Sequence, residues 1–124
     1  MSIHIGLCAG RHPIVRNNGE NVNDFVFPKA VENPLDFKGH REHVESFLKL
    51  FDWEETTGAE IKSVYLYVTG LTPLLTAFLH EWSDKKVDEW GNYLRGKHSN
   101  YQLYLMHYNR DTEQYEVEYW RQGI

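Results

Sequence analysis

Two apolar runs with a helix between them constrain this chain most. Residues 61 to 68 read IKSVYLYV and residues 101 to 108 read YQLYLMHY. The first carries apolar residues on both alternating faces, the mark of a strand covered on both sides, and the second reads as another strong strand. Between them TPLLTAFLHEW carries Leu71, Leu74, Leu75, Phe78, Leu79 and Trp82 as one broad helical stripe. A strand, a helix and a strand in succession form a βαβ unit, whose strands are parallel and whose crossover is right-handed. The turn that joins the first strand to the helix, Thr69-Gly70-Leu71-Thr72, is very short. Thr72 is expected to N-cap that helix, with Pro73 at its first position.

The rest of the chain extends this unit. SIHIGL, residues 2 to 7, alternates as a strand. FVFPKAV is a short extended piece that Pro28 restricts to an edge or a bend. In NPLDFKGHREHVESFLKLF, Asp36 is a fitting N-cap, and Val44, Phe47, Leu48 and Phe51 form one apolar stripe. YEVEYW, residues 115 to 120, alternates strictly and pairs antiparallel with the strand before it. RNNGENVND, residues 16 to 24, is polar and turn-rich and reads as a mobile loop. VDEWGNYLR either continues the second helix or forms a further one, loosened at Gly91-Asn92. The expected fold is a small single α/β domain over residues 1–124, with a mixed sheet, a parallel βαβ unit and a C-terminal antiparallel hairpin.

Composition sets limits on function. Of 124 residues, 15% are aromatic, more than a core of this size conceals, so some belong to a pocket or a subunit interface. The formal net charge of -5 argues against a polymer nucleic-acid partner, which needs many Lys and Arg contacts to phosphate. It leaves room for a small anion held by a local cluster of donors. One cysteine, Cys8, permits no internal disulfide and fits a reducing cytosol. No apolar run approaches the roughly 18 residues of a membrane span, and no signal-peptide pattern is present.

Ligands of open parallel sheets bind beyond the carboxyl ends of the strands. After the first strand stand Arg11 and His12. After the second run stand Thr69, Gly70, Leu71 and Thr72, and after the third His107, Asn109 and Arg110. Guanidinium groups, imidazoles, hydroxyls, an amide and a helix start suit phosphate, and suit a pyrophosphate with riboses better. Tyr67, Tyr101 and Tyr108 lie near enough in sequence to stack a base. Each motif alone also has a plain reading: a capped turn, a solvated loop, a hairpin. No Walker or Gly-x-Gly-x-x-Gly motif is present. His40 and His43, three apart, have metal-capable spacing without further ligands and read as a solvated helix face. Cys8 reads as a small buried residue before it reads as a nucleophile, and Trp82 and Trp90 as core or interface. Glu54 and Glu55 read as solvated. No metal site, cofactor or catalytic set is expected.

IGLCAGRHPI, YVTGLTPLL and LYLMHYNRDTEQYEVEYW together resemble small phage proteins of the first anti-Thoeris type. The resemblance implies a sponge that holds the cyclic ADP-ribose signal of bacterial TIR-domain immune enzymes without cleaving it, in the cytoplasm of the infected host. It also implies a homo-oligomer, a hexamer in relatives, and possible binding of cyclic oligonucleotides. By motif it carries a ligand-binding role to Arg11 and His12, to Thr69, Gly70, Leu71 and Thr72, and to His107, Asn109 and Arg110. Asn92 is a further candidate from the helical region. A sponge must compete at signal concentrations, and submicromolar affinity corresponds to roughly 8 kcal/mol or more. The competing expectations are a small enzyme cleaving a cyclic nucleotide messenger and a Rossmann-like nucleotide sensor module.

Overall fold

Five strands in the order β2-β1-β3-β4-β5 make one mixed sheet in the computed structural model, which describes residues 2–10, 12–53, 62–84, 86–92 and 96–121. The strands are β1 (Ser2–Cys8), β2 (Phe25–Phe27), β3 (Lys62–Tyr67), β4 (Tyr101–Asn109) and β5 (Gln114–Trp120). The helices are α1 (Phe37–Leu50) and α2 (Thr72–Ser83), and a short 3-10 helix, Lys97–Asn100, leads into β4. β1 pairs parallel with β2 and β3, β3 pairs parallel with β4, and β4 and β5 form the antiparallel hairpin. The α/β class, the βαβ unit and the hairpin are therefore as the sequence implies. Of the edge or bend expected for FVFPKAV, the edge is realised: Phe25–Phe27 forms the three-residue edge strand β2, which stops before Pro28.

Strand parity divides the side chains between two faces. Ile5, Leu7, Val64, Leu66, Leu103 and Leu105 face α1 and α2, and join Val44, Leu48, Leu74, Phe78 and Trp82 in the main core. Asp36 caps α1 by accepting from Gly39 N at 3.1 Å. The helices pack against each other, and Lys86 adds ion pairs to Glu45 on α1 and Glu81 on α2.

Among the described residues, the opposite face carries no helix. A row of four rings crosses it in strict register: His4 opposite Tyr65, Tyr65 opposite Tyr104, and Tyr104 opposite Tyr119. Ring centroids are 4.9, 5.0 and 5.2 Å apart, close to the spacing of the strands themselves. The rings therefore stand upright on the sheet and stack on one another, with their edges outward. This row accommodates much of the aromatic surplus. Nearer the carboxyl end, Tyr67 and Met106 are covered by Ile14 and Val22 in a second, smaller core.

Two expectations are corrected here. Residues 16 to 24 belong to a hydrogen-bonded hairpin. Val15 bridges Asn21, Arg16 N donates to Glu20 O at 2.7 Å, and Val22 N donates to Ile14 O at 2.9 Å. Its apolar flanks Ile14 and Val22 have a sheet face to cover, and this holds it down. Residues 86–92 form no helix: Asp88 accepts from Trp90 N and Asn92 N at 2.9 Å each, making a turn that Gly91 completes at φ 83°. A side chain that satisfies local amides in this way competes with helical bonds. The polar connection through Glu54 and Glu55, and residues 93 to 95, lie outside the described residues. Among the described residues, no helix is long and apolar enough to cross a membrane.

Candidate functional site

The strand order creates a crevice. From β1 the chain leaves towards β2, and from neighbouring β3 it leaves in the other direction towards β4. Connections that part at adjacent strand ends open the place where ligands of such sheets bind. Thr69 and Cys8 stitch the two ends together: Thr69 Oγ1 donates to Cys8 O at 2.8 Å and accepts from Cys8 N at 3.3 Å. Gly70 follows at φ 87°, and a Cβ there would stand 3.1 Å from Cys8 Cβ, so both the turn and the close approach require glycine. The helix begins one residue earlier than its sequence suggests. Leu71, extended at ψ 142°, holds the N-cap position, its carbonyl accepting from Leu74 N at 3.0 Å. Thr72 is already helical, and no side chain caps α2.

Beside this crevice, on the face without helices, lies a cavity of about 690 Å³. That is within the range of small-molecule sites. One wall is the hairpin after β1, with His12, Pro13, Ile14, Val15, Arg16, Asn17 and Gly19; Thr69 stands just beyond β3; the other wall is Tyr108 of β4, Glu113 of the turn that follows, and Gln114 and Tyr115 of β5. The walls are tied together by Asn17, whose amide donates to Tyr115 O at 3.1 Å and accepts from Tyr115 N at 2.9 Å. An asparagine side chain thus takes the place of one more strand on the free edge of β5.

Among the described residues, Arg16 is the cation built into this wall. Its Nη1 stands 2.7 Å from Glu20 Oε2. Its charge also acts on the Tyr67 hydroxyl, beneath the hairpin. His4 Nδ1 shares a 2.9 Å hydrogen bond with the same hydroxyl. Burial raises the Tyr67 phenol pKa, with Arg16 working against the shift. Burial, then the charge of Arg16, lowers that of His4, which favours the neutral imidazole. His4, the Tyr67 hydroxyl and the charge of Arg16 thus act on one another beneath the hairpin.

The sequence candidates divide. His12 and Thr69 line the cavity, and Tyr108, half-exposed, is the accessible ring of the three proposed to stack a base; Tyr67 and Tyr101 are buried. Gly70, Leu71 and Thr72 are exposed after Thr69 but do not line it. His107 and Asn109 share the parity of Leu103 and Leu105, so their side chains leave on the opposite face. There His107 Nε2 meets Glu118 at 2.8 Å and Asn109 Nδ2 meets Glu116 at 3.5 Å. Two carboxylates beside them oppose a phosphate. Arg110 is exposed in the hairpin turn, and Asn92 lies in the turn between α2 and β4; neither lines the cavity. Arg11 lies outside the described residues.

His40 and His43 are corrected to structural groups. His40 is buried with Nε2 at 3.0 Å from Pro34 O; His43 stacks on Phe27 and places Nε2 2.7 Å from Val26 O. Among the described residues no cluster of three or more metal-ligating side chains occurs. Cys8 is buried, as expected, and burial raises its thiol pKa. Trp82 is core, whereas Trp90 is largely exposed. Arg16, Asn17, Glu113 and Tyr115 were missed. The available signal was Ile-Val-Arg-Asn-Asn-Gly-Glu-Asn-Val, apolar flanks around an Asn-Gly turn with opposite charges facing across it.

No family model, no curated protein and no solved structure matches this chain.

Proposed function

We propose that the protein binds a cyclic ADP-ribose-type signal at the β1/β3 crevice and sequesters it without cleavage. By this reading it acts in the infected bacterial host against Thoeris-type immunity. One observation carries the reading: a cavity sized for a small ligand lies beside the parting of β1 and β3, between the hairpin after β1 and the ends of β4 and β5, with a guanidinium, an imidazole and a half-exposed tyrosine in its walls. A pyrophosphate, riboses and an adenine need that mixture of a cation, polar groups and an apolar ring face. Holding is favoured over cutting by how the nucleophiles nearest the crevice are occupied. The Thr69 hydroxyl donates to Cys8 O, and burial favours the neutral Cys8 thiol, a poor nucleophile. The same reading has the chain act as a homo-oligomer, a hexamer by resemblance, for which Val117 and Tyr119, both exposed on the ring-bearing face, offer apolar contact.

The test is retention. Purified protein is incubated with cyclic ADP-ribose isomers, passed through a sizing column with light scattering, and heated; the released ligand is identified by mass spectrometry. Intact ligand on an oligomer is the expected result. Recovery of an altered product would replace the proposal with a cyclic-nucleotide-cleaving enzyme, and failure to retain any isomer would remove it.

A further inference from the structure

We propose that Arg16 is the phosphate-recognising group of this cavity, and that Glu20 is a resident carboxylate which an incoming phosphate displaces. The inference rests on the reading of the cavity as a nucleotide site and adds to it a recognition residue and a built-in competitor.

The two residues are unequal partners. The Arg16 side chain is 26% exposed and sits in the cavity wall, ion-paired to Glu20 at 2.7 Å. Its main chain is fixed by the Glu20 carbonyl. The Glu20 carboxylate is 68% exposed and rotates away at small cost. A guanidinium has five N–H donors, so one carboxylate oxygen leaves donors to spare. Solvent-exposed carboxylate pairs of this kind are weak, whereas a phosphate can take two parallel N–H bonds from a guanidinium already in place. Exchange of Glu20 for phosphate therefore runs in favour of the ligand. Tyr108 and Tyr115 line the same cavity, and Asn17, next to Arg16, holds Tyr115 by its main chain. A fixed cation beside aromatic side chains selects a phosphate or pyrophosphate that carries a ring, the chemistry of a nucleotide.

Inorganic pyrophosphate is the probe, titrated by calorimetry and by the NMR signals of the Arg16 side chain. Glu20→Gln should bind it several-fold more tightly than wild type, since the competitor loses its charge. Glu42→Gln removes the same charge from an exposed site on α1 and should leave affinity unchanged. Arg16→Gln should weaken binding at least tenfold. Circular dichroism checks folding, and the exposed Glu20→Gln keeps the proposal testable if Arg16→Gln unfolds. Wild-type affinity in Arg16→Gln, no gain in Glu20→Gln beyond that in Glu42→Gln, or no pyrophosphate binding at all would overturn it. If pyrophosphate behaves as expected but no cyclic ADP-ribose isomer is retained, the sponge reading falls and the Arg16 exchange stands. If both variants retain cyclic ADP-ribose as wild type does, the exchange falls and the sponge reading stands.

Discussion

Replacing Gly70 with alanine tests the corner at the end of β3, and the fold supplies its own controls. Gly19, Gly70 and Gly91 have φ of 90°, 87° and 83°, so alanine pays a similar conformational penalty at each, roughly 1–2 kcal/mol. At Gly19 and Gly91 nothing among the described residues lies within 4 Å of the new methyl group. At Gly70 it would stand 3.1 Å from Cys8 Cβ, tighter than ordinary contact. Cys8 yields poorly, being buried and bonded at both its N–H and its carbonyl to Thr69. Overpacking of this kind adds about 1 kcal/mol. Gly70→Ala should therefore cost about 2–3 kcal/mol, and each control about 1–2 kcal/mol. With an unfolding entropy of about 2.1 cal/mol/K per residue, 124 residues translate each kcal/mol into a shift of about 4 °C. Calorimetric melts should show Tm falling by about 8–12 °C for Gly70→Ala and about 4–8 °C for the others. Cys8→Gly, which removes the facing Cβ, should recover the difference as a coupling of about 1 kcal/mol. Equal losses at all three positions would refute the close approach. No loss at Gly70 would refute the left-handed turn on which the crevice depends.

Two further outcomes follow from other parts of the molecule. Tyr104 stands between Tyr65 and Tyr119, so Tyr104→Ala loses two ring contacts and should cost about 2–3 kcal/mol, against about 1 kcal/mol for terminal, half-exposed Tyr119→Ala; denaturant midpoints measure both. His98, beside Trp53 and Trp82, has its pKa lowered below the ordinary 6.5, chiefly by burial. Its unfolded form therefore takes a proton that the folded form resists, so stability is complete above about pH 6.5 and falls as pH drops below it. Tm measured from pH 7.5 to 5.5 should decline less steeply in His98→Gln than in wild type, and an identical decline would exclude His98 as a source.

The sheet was legible because its signals are local and redundant. Val64 and Leu66 on one side and Tyr65 and Tyr67 on the other identify a strand with both faces in use, and Asp36 with the stripe Val44, Leu48 identifies α1. Thr72 was misread as a cap because hydroxyl chemistry points to it, whereas the turn at Gly70 leaves Leu71 extended and gives its carbonyl the first helical bond. His40 has the charge pattern of a surface residue. Its burial is decided by Pro34, whose carbonyl stands beside the ring in the chain's approach to α1.

The site was legible by strand end but not by face. A strand end names three or four residues that reach the carboxyl edge, and alternation then sends them to opposite sides of the sheet. Tyr108 goes to the side without helices, with Tyr115 opposite it; His107 and Asn109 go to the other side, where Glu118 and Glu116 meet them. Which side carries the cavity depends on what the two helices leave uncovered. Both pack together on one face, so the connection from β1 to β2 is left to cover the other. Its apolar flanks Ile14 and Val22 anchor it there, and the polar residues between them are then bound to form a wall. Arg16 and Asn17 enter the candidate site for that reason: among the described residues, they occupy the turn of the segment that closes the open face.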